Sequence, residues 1–158
     1  MIKIFIVLGL LLINTSSYAQ ETFHDSQIKL NDGANNDSKL PFELIDKCTD
    51  FFKLLIKDQT DLAFTQLFKG SLVANRPETQ KGLVEAYLRS IKAYGELKGF
   101  EIVNYELASS SFIRVRYLAL HSEYPIRWVF TFYKSPIKGW IVINVKFDDD
   151  SQYIFLSE

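Results

Sequence analysis

The spacing of apolar residues changes character once along the chain, near Gly95. Before that point they recur at steps of three and four; after it they alternate. Ile45, Cys48, Phe52, Leu55 and Ile56 line one face of a helix starting near Pro41, a residue suited to a first helical turn. Asp46, Lys47, Asp50, Lys53 and Lys57 fall largely off that face. A second, shorter helix is expected from Thr60 or Asp61 to Lys69, burying Leu62, Leu67 and Phe68, with Gly70 as its stop. A third opens with Asn75 as cap, Pro77 near its start and Glu78 reaching back. Its apolar face is Leu83, Val84, Tyr87, Leu88, Ile91 and Tyr94, and Gly95 ends it. Gly82 inside this helix costs about 1 kcal/mol against Ala, which predicts a neighbour packed closely against it.

Beyond Gly95 four runs alternate with period two, at about 99–108, 111–122, 126–134 and 139–147. The links between them are short, so neighbouring strands are antiparallel and the sheet is a meander. Arginine separates its faces, because an unpaired charge seldom points into a core. Arg114, Arg116 and Arg127 then point outward, with Phe112, Leu118, Leu120, Val129, Tyr133, Trp140 and Val142. The inward sets are Val103, Tyr105 and Leu107; Ile113, Val115, Tyr117, Ala119 and His121; Ile126, Trp128, Phe130 and Phe132; and Ile141, Ile143, Val145 and Phe147. The expected fold class is α+β: three N-terminal helices packed on one face of a curved antiparallel meander of four or more strands.

The stretch Trp128-Val-Phe-Thr-Phe-Tyr-Lys134, a turn, and Lys138-Gly-Trp-Ile-Val-Ile-Asn-Val-Lys-Phe-Asp148 resembles the final hairpin of small exported members of the nuclear transport factor two-like superfamily. The resemblance covers about residues 42–150 and implies an α+β cone with a concave pocket. The superfamily includes isomerases, dehydratases, transport factors and exported proteins without an assigned role. Its isomerases use an acid as base and a tyrosine as oxyanion donor, and no Asp falls on the inner parity of these strands.

Ahead of the helices, Lys3, the apolar run Ile4 to Ile13 and Ser17-Tyr18-Ala19 form the three-part pattern of a secretory signal. The run is about half the length a membrane-spanning helix needs. The expected organisation is a signal peptide over 1–19, a flexible polar leader over 20–40 and one domain over 41–158. The expected location is periplasmic or extracellular.

Composition narrows the function classes. With 18 basic and 19 acidic residues the net charge is −1, which excludes a nonspecific nucleic-acid binder. The single cysteine, Cys48, excludes an internal disulfide and reads as a small core residue. His24 and His121 are too far apart in the chain for a zinc site. Asp148-Asp149-Asp150 lacks the ligand spacing of a calcium loop and reads as a solvated strand exit. Between Phe112 and Lys146 six basic residues (Arg114, Arg116, Arg127, Lys134, Lys138, Lys146) face one acid, Glu123. They form either a surface for an anionic partner or a face answered by Glu101 and Glu106.

No catalytic, metal or cofactor motif stands out. The expectation is a noncatalytic binding or interaction module for a small apolar ligand, without nucleic acid or a membrane span. Tyr87, Tyr105, Tyr117, His121 and Trp128 are its candidate lining, since they offer apolar area with a few polar handles. The alternatives are a small isomerase- or dehydratase-like enzyme, with His121 as base and Tyr105 or Tyr117 as donor, and a homodimer through the outer sheet face. The apolar Tyr153 to Leu156 is the rival cover for that face.

Overall fold

The computed structural model describes residues 39–152. The expected signal peptide, all of the leader but Lys39 and Leu40, and Tyr153 to Leu156 lie outside the described residues. Three α-helices, α1 (Phe42–Ile56), α2 (Thr60–Leu67) and α3 (Pro77–Tyr94), precede four strands, β1 (Leu97–Ser109), β2 (Phe112–His121), β3 (Ile126–Ser135) and β4 (Gly139–Asp148). The strands pair antiparallel in the order β1-β2-β3-β4, and the sheet is not closed. The fold class is the α+β arrangement expected from the periodicity.

The buried stripe of α1 is Leu44, Cys48, Phe51, Phe52 and Leu55. Ile45 is only partly buried and Ile56 is exposed. Both stripes have helical spacing and share Cys48, Phe52 and Leu55; the one that wins carries the larger Phe51. The same rotation occurs in α2, where Ala63, Phe64 and Leu67 are buried and Leu62 faces out. In α3 Leu88 is exposed and only Tyr87 is fully buried.

Asn75 does not cap α3. It closes a short 3-10 turn, Leu72–Asn75, whose own cap is Ser71 Oγ accepting from the Val73 amide at 3.1 Å. Arg76 stands at the α3 cap without a side-chain bond, and Pro77 opens the helix. Gln80 Nε2 ties the two together by donating to the Val73 and Ala74 carbonyls. No neighbour crowds Gly82 either: a Cβ added there would meet nothing within 4 Å.

Parity holds throughout the two central strands. Ile113, Val115, Tyr117, Ala119 and His121 of β2 are buried, as are Ile126, Trp128, Phe130 and Phe132 of β3. It fails in both edge strands, because each contains bulges. In β1 the pairing skips Lys98, Val103 and Ala108. Leu97, Phe100, Ile102, Tyr105 and Leu107 therefore oppose the inward residues of β2, and Val103 sits in a bulge. In β4 the pairing skips Ile143, so Phe132 opposes Val142 while Phe130 opposes Val145. Trp140 and Val142, expected outside, are buried, and Ile143, expected inside, is 39% exposed.

The core lies between the helices and the inner sheet face and is largely aromatic. Trp128 stacks on Phe147 at 4.4 Å between ring centroids and meets Phe51, Phe52, Phe64 and Tyr87 at 5.3–6.3 Å. Such offset and edge-to-face pairs add to the hydrophobic gain of burying the rings.

Candidate functional site

Helix α3 lines two cavities, one through Ala86, Arg89, Ser90, Ala93 and Tyr94 and the other through Tyr87 and Ile91. The larger, about 310 Å³, runs along Ala86, Arg89, Ser90, Ala93 and Tyr94 and is closed by Ile126, Phe147, Asp148 and Asp149. Its polar rim is occupied internally. Asp148 receives Arg127 Nη2 at 2.7 Å and Nε at 3.1 Å, and the Tyr94 hydroxyl donates to Asp149. The smaller cavity, about 190 Å³, lies between the C-terminal end of α1 and the start of β1. Leu55, Ile56, Ile91 and Leu97 give it aliphatic walls, Tyr87 reaches it from α3, and Asp58, Glu96 and Lys98 stand at its rim.

Two features set the chemistry of this second cavity. The first is Tyr87, whose hydroxyl is buried and has no hydrogen-bond partner. Burial, reinforced by the negative charge of Asp58, raises the pKa of this hydroxyl well above the usual tyrosine value, so it stays a neutral donor. The second is Asp58, at a positive φ of 57°. Helix α1 ends with Gln59 N donating to the Leu54 carbonyl and Asp58 N to the Leu55 carbonyl. That is a Schellman ending, with Asp58 where glycine is the usual choice. On the rim, Lys98 Nζ bonds Glu96 at 2.6 Å, and this bond holds the Glu96 carboxyl below its ordinary range.

The structure gathers the residues expected to line a pocket, but around the core. Tyr87 sits against His121 and Trp128, with ring centroids at 6.1 and 5.7 Å. Tyr117 lies one layer away, packed on Phe52, Phe100 and Phe130. Tyr105 is partly buried on β1 beside Val115. Of the five, only Tyr87 lines either cavity. On the inner face the buried polar atoms without partners belong to four of them: Tyr87 Oη, Tyr117 Oη, His121 Nε2 and Trp128 Nε1.

His121 Nδ1 lies 2.8 Å from the Gly95 carbonyl. A carbonyl only accepts, so Nδ1 carries the proton and Nε2 keeps a bare lone pair. Burial lowers the proton affinity of the ring, partly offset by the Gly95 bond, so the imidazole is neutral near pH 7. A general base needs reach to a substrate, and this ring lines neither cavity. Cys48 is fully buried. Burial pushes its thiol up to about 12, against a smaller opposing pull from Tyr117 and Lys47. The Tyr117 hydroxyl is near enough to exert that pull but forms no hydrogen bond of good geometry. Cys48 is thus an inert core residue.

The basic residues of the sheet do not form one surface. Arg116 Nη1 bonds Glu106 at 2.5 Å and Asn104 at 2.9 Å; Arg114 lies 3.6 Å from Glu106; Arg127 holds Asp148. Lys138 reaches the Gly70 carbonyl, and Lys134 covers the Trp140 ring. Glu106 is thus the answering acid on β1. Among the described residues no cluster of His, Cys, Asp or Glu is placed to hold a metal ion, and no helix is long and apolar enough to cross a membrane. Sequence reasoning missed Asp58. Its only trace was the polar break Lys57-Asp58-Gln59 between two apolar helices. Comparison with family models, curated proteins and solved structures finds no match to this chain.

Proposed function

We propose that the protein is an exported, noncatalytic small-molecule-binding module built on a nuclear transport factor two-like cone. The observation that carries the reading is the 190 Å³ cavity lined in part by Tyr87, a fully buried residue whose hydroxyl has no hydrogen-bond partner. Buried polar groups are nearly always bonded, and one left open beside a cavity is a handle for an occupant. The inertness of Cys48 and the enclosure of His121 favour binding over turnover. The module is tested by titrating labelled protein with pentan-1-ol and following the methyl resonances of Ile56, Ile91 and Leu97. Saturable shifts confined to these residues, weakened in Tyr87→Phe, are expected. Unchanged spectra at millimolar alcohol would reject the reading.

A homodimer through the outer sheet face is the second reading. It is favoured by the β4 bulge, which adds Ile143 to a face where Phe112 opposes Tyr133, all three 37–40% exposed. Sedimentation at micromolar concentration tests it. Twice the monomer mass, halved by Ile143→Glu, is expected; a monomer throughout would reject it.

A further inference from the structure

We infer that the ligand of the smaller cavity is a short-chain primary amine, bound as its ammonium ion with the head at Asp58 and the hydrocarbon between Leu55, Ile91 and Leu97. The inference rests on the binding-module reading above and names the ligand class of that site.

Three observations converge. The first is charge. Three charged side chains stand at the rim, but Glu96 and Lys98 neutralise one another at 2.6 Å. Asp58 is left as the net charge, so the mouth selects a cation. The second is the backbone. A left-handed residue at a helix C-terminus is cheapest as glycine, because a Cβ is strained there. Aspartate, which with asparagine reaches this conformation more readily than other side-chain-bearing residues, places a carboxylate at the cavity mouth, where its charge acts on Tyr87.

The third observation is size and polarity. Inside a polar rim, Leu55, Ile56, Ile91 and Leu97 supply aliphatic wall. The 190 Å³ volume equals the share of about six waters in the liquid. An unbranched amine of about six heavy atoms fits it, with its N–H groups on the carboxylate. A carboxylate ligand of equal length would meet Asp58 as a like charge. An alcohol would fill the walls but leave the charge unanswered.

The experiment compares pentylammonium, pentan-1-ol and pentanoate on the whole mature chain by calorimetry and methyl shifts, at low and high salt. Pentylammonium should bind about five- to tenfold more tightly than pentan-1-ol, as a partly exposed ion pair allows. Pentanoate should bind more weakly than either, and 1 M salt should narrow the spread. Asp58→Asn, in which asparagine tolerates the left-handed conformation, should bring the amine-to-alcohol ratio to about one. Equal affinity of amine and alcohol for the unaltered protein would overturn the amine assignment and leave the binding module standing. Failure of all three probes would overturn both. Should Asp58→Asn fold poorly, the salt dependence of the amine-to-alcohol ratio in the unaltered chain decides, and a ratio indifferent to salt counts against the proposal.

Discussion

The two faces of the sheet both bury polar groups, neutral on one side and charged on the other. On the inner face the buried groups are neutral: Tyr87, Tyr117 and Trp128 keep unpartnered donors, and His121 keeps an unpartnered acceptor. On the outer face the buried groups are full charges, Arg116 at 1% exposure held by Glu106 and Asn104, and Arg127 held by Asp148. A neutral hydroxyl or indole without a partner costs about 1–3 kcal/mol, which a large aromatic core absorbs. An unpaired buried cation costs several times more, so the outer face supplies a carboxylate. The outer face answers its charge but not every donor, since Arg116 Nε and Nη2 are buried without a partner; what it does not leave open is the net charge.

Three experiments sharpen this contrast. The largest effect is expected at the centre of the inner face. Trp128→Ala removes a fully buried ring that six other aromatics touch, and should cost about 3–5 kcal/mol in denaturant unfolding. A loss below about 1 kcal/mol would mean that the inner face is not the core.

The outer face should show an asymmetry within one ion pair. Glu106→Gln strands the Arg116 cation, whose side chain is 2% exposed, and should cost about 3 kcal/mol. Arg116→Met leaves Glu106 at 40% exposure with Arg114 still beside it, and should cost about 1 kcal/mol or less. Equal losses would erase the distinction between buried cation and solvated anion.

The smallest effect concerns pH. His121 has a lower proton affinity in the folded chain than its ordinary 6.5, first because burial penalises the cation. Its folded value lies below its unfolded one, so the folded state resists protonation. The stability it contributes is complete above about pH 6.5 and is lost as pH falls through the lower folded value. Unfolding between pH 7 and 5 should therefore show a loss that His121→Gln reduces. An identical pH profile in the variant would place His121 outside the linkage.

The same physics explains what the sequence disclosed. From Phe112 to Ala119 and from Arg127 to Tyr133, β2 and β3 have a neighbour strand on both sides, so a bulge would break two ladders and period two is unbroken in each. In β1 and β4 one side is open and an extra residue disturbs one ladder only. Parity there could not foresee the outward Ile143 or the inward Trp140 and Val142. Helix spacing placed Tyr87 on its buried face because one turn of α3 carries it. Asp58 stayed hidden because its importance comes from a left-handed backbone angle, which aspartate does not announce as glycine does.

Those extra residues have a further consequence. An open four-stranded sheet has two edges that can recruit strands from other molecules and seed aggregates. The pairing irregularities at Lys98, Val103 and Ala108 are all in β1, and that at Ile143 is in β4, so they fall on the two edge strands. Each interrupts the regular row of N–H and C=O groups that an incoming strand would need. β1 adds the charges of Lys98, Glu101 and Glu106, and β4 those of Lys146 and Asp148. The bulges that misaligned the sequence pattern thus also guard a β-rich aromatic domain against fibre formation. Deleting Ile143 to straighten β4 should make the protein form dye-binding fibres faster than the unaltered chain on incubation.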